Sequence, residues 1–370
     1  MALLQSQLRL INPDLLFRYF IFPDIDNNMA TEDQPSGGCP LKVFLWATPR
    51  SVSTTFLKCM TFVPETSAWH EPYFQMAKFA SDDSAIMFDG HFKRLLERLG
   101  GQEALDKIDA GFDSSDKTID WLKEQLEGDF PGKKLVFVKD IAAAIARPSP
   151  PRFDKLPKGF RHTFIMRHPR NVINMKSFLK RKQQGQSKPD SNGGAKPSTT
   201  TTAGPKLPQN ITPDKVRPYQ YLNELWKHVI AQDLDAKPII IDADDLLRNP
   251  KAVLEAYCKE LGIPFSEELL TWEAGDEVMT KHWVVPKQAI LSYRMIGAHN
   301  TTFASTGFTP PAKPDIANAV GVAKEGNTHD KPAVAPEMIA KAQQMIESIM
   351  RRELPLYEEM YAQRLVVDTK

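Results

Sequence analysis

The run Thr48-Pro49-Arg50-Ser51-Val52-Ser53-Thr54-Thr55 gathers hydroxyls and one guanidinium into a single short turn. The apolar run KVFLWA (42–47) precedes it and LKCMTF (57–62) follows it, so the residues sit between a buried strand and a helix. Such a turn points free backbone N–H groups and the positive end of a helix dipole at one spot, which is anion-binding chemistry. Ser51, Ser53, Thr54 and Thr55 add donors, and Arg50 adds a planar fork suited to phosphate or sulfate oxygens. A Ser/Thr-rich cap on a structural helix is the plainer alternative. A second turn repeats the arrangement in FIMRHPRN (164–171), with Arg167 and Arg170 after a strand. From Lys155 through Lys188 there are ten Lys or Arg and no Asp or Glu. In a chain with 47 Lys+Arg against 46 Asp+Glu, that window implies a local anionic partner or a solvated basic face.

Other clusters are weaker. The nucleotide-triphosphatase loop requires GxxxxGK[ST], and 48–55 has neither Gly nor Lys. Asp242, Asp244 and Asp245 stand between a strand and a helix, where capping and dipole complementarity account for them. The eight His show no HExxH spacing, and no metal is expected. Cys39, Cys59 and Cys258 are odd in number and unrelated in spacing, against a disulfide framework and for a reducing compartment. Trp121, Trp226 and Trp272 read as core, and Thr301-Thr302 with Ser305-Thr306 as a late loop able to reach a nucleotide.

These residues need a scaffold. With 370 residues, 42% apolar and 25% charged, the chain has the composition of a globular protein able to bury a large core. A net charge of +1 argues against a general nucleic-acid binder, and no apolar run is long enough for a membrane helix. Short apolar runs at 42–47, 134–140, 162–168 and 237–244 alternate with amphipathic segments at 85–100, 117–128, 169–182, 219–234 and 250–262. That alternation predicts an α/β fold: three layers around a central parallel sheet, with ligands at the C-terminal strand ends. Residues 1–41 read as a flexible N-terminal extension and 42–370 as one domain. The tract at about 183–214 reads as a disordered insertion, because it offers too little apolar surface to offset its ordering entropy. The stretch 284–333 reads as loop-rich, and 334–364 as helical with a break near Pro355.

The two strand–turn–Arg motifs, at 48–55 and 167–177, resemble those of the PAPS-dependent sulfotransferases, a family with a P-loop-like fold (PAPS is 3′-phosphoadenosine 5′-phosphosulfate). The resemblance covers most of 42–275, including IIIDADDLLRNPKAVLEAYCKELGIPFSEELLTW. It implies that Arg50, Ser51, Ser53, Thr54 and Thr55 hold the 5′-phosphosulfate and that Arg167 holds the 3′-phosphate. Met175 stands where the family's Ser contacts that phosphate, so that either Asn174 or Ser177 substitutes for it or the contact is lost. Val52 replaces the commonest Gly of the first loop, and the late Gly-rich loop has no clear counterpart. Lys139 matches the Lys of a KxH motif whose His is here Ile141. The base then falls to the segment Trp69-His70-Glu71, in the branch that pairs a Glu with an Arg in the first loop. Glu71 is the favoured base, with His70 as alternative, and an ion pair with Arg50 is the non-catalytic reading of Glu71. Lys139 and Arg50 would stabilise the leaving phosphate.

The expected function is sulfuryl transfer from PAPS to a hydroxyl or amine of a small-molecule acceptor. The expected setting is the cytoplasm, without metal, nucleic acid or an integral membrane segment. The rival readings are a non-catalytic nucleotide-binding member of the fold and a P-loop kinase or nucleotide hydrolase. Acceptor identity and oligomeric state are not legible.

Overall fold

The computed structural model describes residues 39–79, 97–98, 100–173, 216–297, 299–308 and 336–367. Residues 1–38, residues 85–96 of the amphipathic segment expected at 85–100, the insertion expected at about 183–214, and Asn174 and Ser177 lie outside the described residues. Those described belong to one compact unit, Cys39–Lys370.

Six strands form one sheet among these residues: β1 Leu41–Ala47, β2 Thr66–His70, β3 Leu135–Ile141, β4 Arg161–Met166, β5 Ile239–Asp242 and β6 Trp283–Val284. Their order is β5-β4-β1-β3-β2-β6, and every pairing is parallel. Parallel sheets need both faces covered, which is why these strands are apolar without alternation. Successive side chains still point to opposite faces. Val43, Leu45 and Ala47 enter one core with Phe56, Leu57, Tyr257 and Leu261. Phe44 and Trp46 enter the other with Leu122, Tyr219, Leu222 and Met360. The fold is thus the expected α/β arrangement, with helices on both faces of a parallel sheet.

The helices that matter below are α1 Ser53–Met60, α2 Pro72–Phe79, α3 Pro218–Ala231, α4 Ala243–Arg248, α5 Pro250–Leu261, α6 Lys287–Ile296 and α7 Pro336–Tyr361. Several of their ends are written locally. Asp242 caps α4 by accepting from the amides of Asp244 and Asp245. Asn249 caps α5, Pro250 occupies its first turn, and Gly262 ends it in a left-handed conformation.

Two expectations need correction. The stretch from 284 carries a ten-residue helix, α6, stabilised by burial of Ala289, Ile290 and Tyr293 rather than by local turn signals. Helix α7 runs through Pro355 without a break. A proline removes one i→i−4 bond, but tertiary contacts grip the helix on both sides of it. Glu353 accepts from the amides of Tyr219 and Gln220 at 2.9 and 3.2 Å, and Tyr357 donates to Asp242 at 2.9 Å.

A short strap fixes α6 to the sheet. The Phe112 amide donates to the Val285 carbonyl, and the Lys287 amide donates to the Phe112 carbonyl at 2.8 Å. Gln288 accepts from the Ser114 amide and hydroxyl. Gly111 precedes this strap at φ 76°, and a Cβ there would lie 2.1 Å from the Val285 carbonyl oxygen. Gly132, at φ 69°, meets nothing within 4 Å. Gly132→Ala should therefore cost about 1–2 kcal/mol, for the left-handed backbone alone. Gly111→Ala adds a backbone overlap, worth about 1–3 kcal/mol more. Urea unfolding of the two variants reads the difference, and equal losses would mean that the strap is not tight.

Candidate functional site

Register sets the site. Ala47 lies level with Ile141 on β3 and with Ile165 on β4, while His70 lies level with Lys139. The residues that follow these positions therefore leave the same edge of the sheet. Thr48 onward, Glu71, Lys139 and Arg167 converge there on a cavity of about 660 Å³. His299, Thr302 and Ser305, with Tyr293 of α6, line its opposite side, and Phe74 and Leu247 also border it.

The 48–55 turn is strained. Arg50 and Val52 adopt φ 67° and 65°, a left-handed conformation that is unfavourable for a β-branched Val. The Thr48 amide donates to the Ile165 carbonyl at 3.4 Å, and the buried Ser51 hydroxyl donates to the Thr48 carbonyl at 2.7 Å. Ser51 thus braces the turn and does not line the cavity, unlike Arg50, Ser53, Thr54 and Thr55. The first amide of α1 to find a helical acceptor is that of Phe56, on the Val52 carbonyl. Among the described residues no group accepts from the amides of Ser53, Thr54 and Thr55. The Thr55 and Thr302 hydroxyls meet at 3.3 Å.

Glu71 sits at φ 51° with 4% exposure. Its amide donates to the Lys139 carbonyl at 2.6 Å. Its Oε1 pairs with the ammonium of Lys139, which is itself 1% exposed. Its Oε2 accepts from Gln75 at 3.0 Å and from the Tyr293 hydroxyl at 3.3 Å. Gln75 also donates to that hydroxyl. The carboxylate is therefore oriented from three sides. The cation on it is Lys139. Arg50, expected as its partner, is exposed and forms no ion pair among the described residues, although it lines the same cavity.

His70 is fully buried, with Nδ1 3.2 Å from the Tyr293 hydroxyl and its ring stacked on Trp283 at 4.8 Å. It does not line the cavity, but His299 does. His70, Glu71 and His299 bring ligand atoms within 4.8 Å of one another. A cation there would compete with Lys139 for Glu71. Beneath the pair, Asp140 accepts from the amides of Tyr73, Phe74 and Ile141 at 2.6, 3.2 and 2.7 Å, capping α2.

At the other end, Arg167 Nε donates to Asp244 at 2.8 Å, and Asn171 donates to the second oxygen of Asp244 at 2.8 Å. No described residue takes the terminal Nη groups of Arg167. Asp244 is thus a partner of Arg167 as well as a first-turn acid. Sequence reasoning does not single out Tyr293, His299, Asp140, Asn171, Gln75 or Lys58. Gln75 lies four residues after Glu71, a spacing that signals contact on a helix. Asp140 adjoins Lys139. Tyr293 and His299 arrive through tertiary packing and have no local signal.

Residues 232–320 match the family model for a sulfotransferase domain, so the resemblance stands on that segment. It carries Tyr293, His299 and Thr302, whereas the 48–55 turn, Glu71, Lys139 and Arg167 lie outside it. Two Arabidopsis thaliana relatives, branched-chain-amino-acid aminotransferase-like proteins 2 and 1, are 36% identical over 115 residues and 31% over 117. Each alignment covers 29% of this chain and 18% of the relative, so the match spans under a fifth of their length. Two solved structures are also similar. The sulfotransferase domain of the Synechococcus PCC 7002 olefin synthase has a TM-score of 0.37 at 15% identity, over 86% of this chain and 98% of that one. The sulfotransferase domain of the curacin biosynthetic pathway has a TM-score of 0.39 at 15% identity, over 83% and 98%. No described helix is long and apolar enough to cross a membrane.

Burial, and secondarily the Glu71 charge, push the Asp140 carboxyl up to about 8. The unfolded chain releases that proton near pH 4, so between these values the folded state binds more protons. The contribution of Asp140 to stability therefore falls as pH rises from about 4 to about 8. Asp140→Asn retains one acceptor oxygen and removes the titration. Its melting temperature should fall less than that of the parent across this range. An unchanged pH slope would show that the carboxyl is ionised throughout.

Proposed function

We propose that the chain is a sulfotransferase that moves a sulfuryl group from PAPS to a hydroxyl of a small-molecule acceptor. The observation that carries this is the sharing of one cavity by the open amides of Ser53–Thr55, the Glu71–Lys139 pair and the free end of Arg167. The donor needs two anion sites joined by a nucleotide-sized space. The start of α1 with Arg50, Ser53, Thr54 and Thr55 is suited to one, and Arg167 with Asn171 to the other. A cavity of about 660 Å³ lies within the range that holds such ligands. When bound, PAPS supplies the sulfuryl group and leaves as 3′,5′-adenosine bisphosphate.

The chain's own task is to orient, to neutralise charge and to take a proton. Sulfuryl transfer, like phosphoryl transfer, asks mostly for positioning and electrostatic stabilisation. Helix-start amides and hydroxyls do this without reorganising. Glu71 takes the proton of the acceptor hydroxyl, and its other oxygen stays on Lys139. Lys139 adds positive charge where the leaving phosphate develops negative charge, and Arg50 reaches the same space from the exposed side. Tyr293 and Gln75 hold the base in one rotamer.

Glu71→Gln keeps an oxygen for Lys139 and removes the basic site. Turnover with PAPS and an acceptor panel should fall by roughly 10²–10⁴-fold, while calorimetric affinity for 3′,5′-adenosine bisphosphate stays within about twofold. ATP with Mg²⁺ should bind more weakly than the bisphosphate. Full turnover in the variant would move the base elsewhere, and preferential binding of ATP with Mg²⁺ would replace the sulfotransferase reading by a kinase or hydrolase.

A further inference from the structure

Lys58 lies on α1, four residues beyond Thr54 and three beyond Thr55, hence on the face that carries them. Its side chain is 1% exposed. The ammonium donates to three backbone carbonyls of one loop: Thr302 at 3.4 Å, Phe303 at 3.4 Å and Ser305 at 3.2 Å. The Trp272 ring lies 6.0 Å away. Among the described residues Lys58 forms no ion pair with a carboxylate. An ammonium buried with dipoles alone is costly compared with an apolar side chain of the same length, so packing does not explain a lysine here.

The loop it grips lines the cavity. Thr302 joins the two sides, because its carbonyl accepts from Lys58 while its hydroxyl lies 3.3 Å from that of Thr55. The Ser305 hydroxyl also donates to the Thr302 carbonyl at 2.6 Å, and Trp272 Nε1 donates to that hydroxyl at 3.2 Å. When one of two paired hydroxyls donates to the other, the second keeps its proton for a ligand oxygen.

We infer that Lys58 is a positioning residue for the phosphate-bearing end of a nucleotide. It locks residues 302–305 onto α1, so that Thr302 completes the donor set begun by Ser53, Thr54 and Thr55, and it adds positive charge behind that set. The inference rests on the proposed nucleotide site and extends it to a residue outside the cavity wall.

A double-mutant cycle tests it, read by calorimetry with 3′,5′-adenosine bisphosphate and, as a probe without phosphate, adenosine. Thr302→Val should weaken the bisphosphate by about fivefold, the worth of one hydrogen bond. Lys58→Met should weaken it by about tenfold or more, as expected when a charged group is lost. The double variant should be no weaker than Lys58→Met alone, because Thr302 contributes only while the loop is held. Adenosine affinity should not change. Should Lys58→Met not fold, Lys58→Gln keeps a donor without the charge and should show the same loss. Additive losses, or an unchanged bisphosphate affinity in the Lys58 variants, would overturn the inference. A parent protein that binds both probes equally would instead remove the nucleotide site on which it rests.

Discussion

The ion pair between Glu71 and Lys139 is the interaction on which the rest of the site depends. Both groups are almost wholly buried. An isolated charge in such a place is strongly unfavourable, and a paired one holds only with good geometry and further hydrogen bonds. The parallel register of β2 and β3 provides the geometry, since His70 stands opposite Lys139 and the next amide returns to the Lys139 carbonyl. Gln75 and Tyr293 provide the bonds. A shift by one residue would turn Lys139 to the other face of the sheet and leave Glu71 buried without this cation. The pair therefore ties the electrostatics of the site to the pairing of the strands beneath it.

The same constraint accounts for the unusual backbone nearby. Arg50, Val52 and Glu71 all adopt positive φ at C-terminal strand ends, where the chain must turn sharply into α1 or α2. Glycine would adopt these angles without strain. In the proposed function the side chains of Glu71 and Arg50 are the acting groups, so glycine there would delete them. Val52 instead packs partly against the core beneath α1. Asp140 and Ser51 brace the two turns, one by capping α2 and the other by bonding back to Thr48. Strain gathers where the helix-start donors face the cavity and is supported by groups that do not face it.

Much of this scaffold is legible in the sequence alone. The apolar runs place β1, β3, β4 and β5, because a strand covered on both faces has no polar alternation to hide it. The two turns are legible because donors and arginines collect immediately after such runs. Pairings between distant segments are not legible. Nothing in the sequence distinguishes Lys139 from Arg50 as the cation on Glu71, since that choice is made by the pairing of β2 with β3, which sets His70 level with Lys139. Tyr293 and His299 are invisible for a similar reason: α6 is placed by the strap to Phe112 and Ser114, contacts spanning more than a hundred and fifty residues. Pro355 misleads because a local helix breaker is outweighed by Glu353 and Tyr357 on either side of it.

The site is thus assembled from two stretches of chain that do different work. Residues 48–171 provide the charged groups and the helix start, each at the end of a neighbouring strand and so fixed by the sheet itself. The stretch that matches the sulfotransferase model provides the opposite wall, where Tyr293 orients Glu71 and Thr302 meets Thr55. That wall has little sheet of its own, since β6 is two residues long, and is held by side chains reaching across: Lys58 from α1, Thr61 accepting from Trp283 at 2.9 Å, and Ser114 of the strap donating to Gln288. Changes in the wall that spare Tyr293 can alter what fits the cavity while the charges stay in place, because those charges are anchored by the mutual pairing of β1, β2, β3 and β4. Under the proposed function the edge of the sheet carries the transfer chemistry, and the wall with its anchors closes the cavity around it, Thr302 facing the nucleotide beside Thr55.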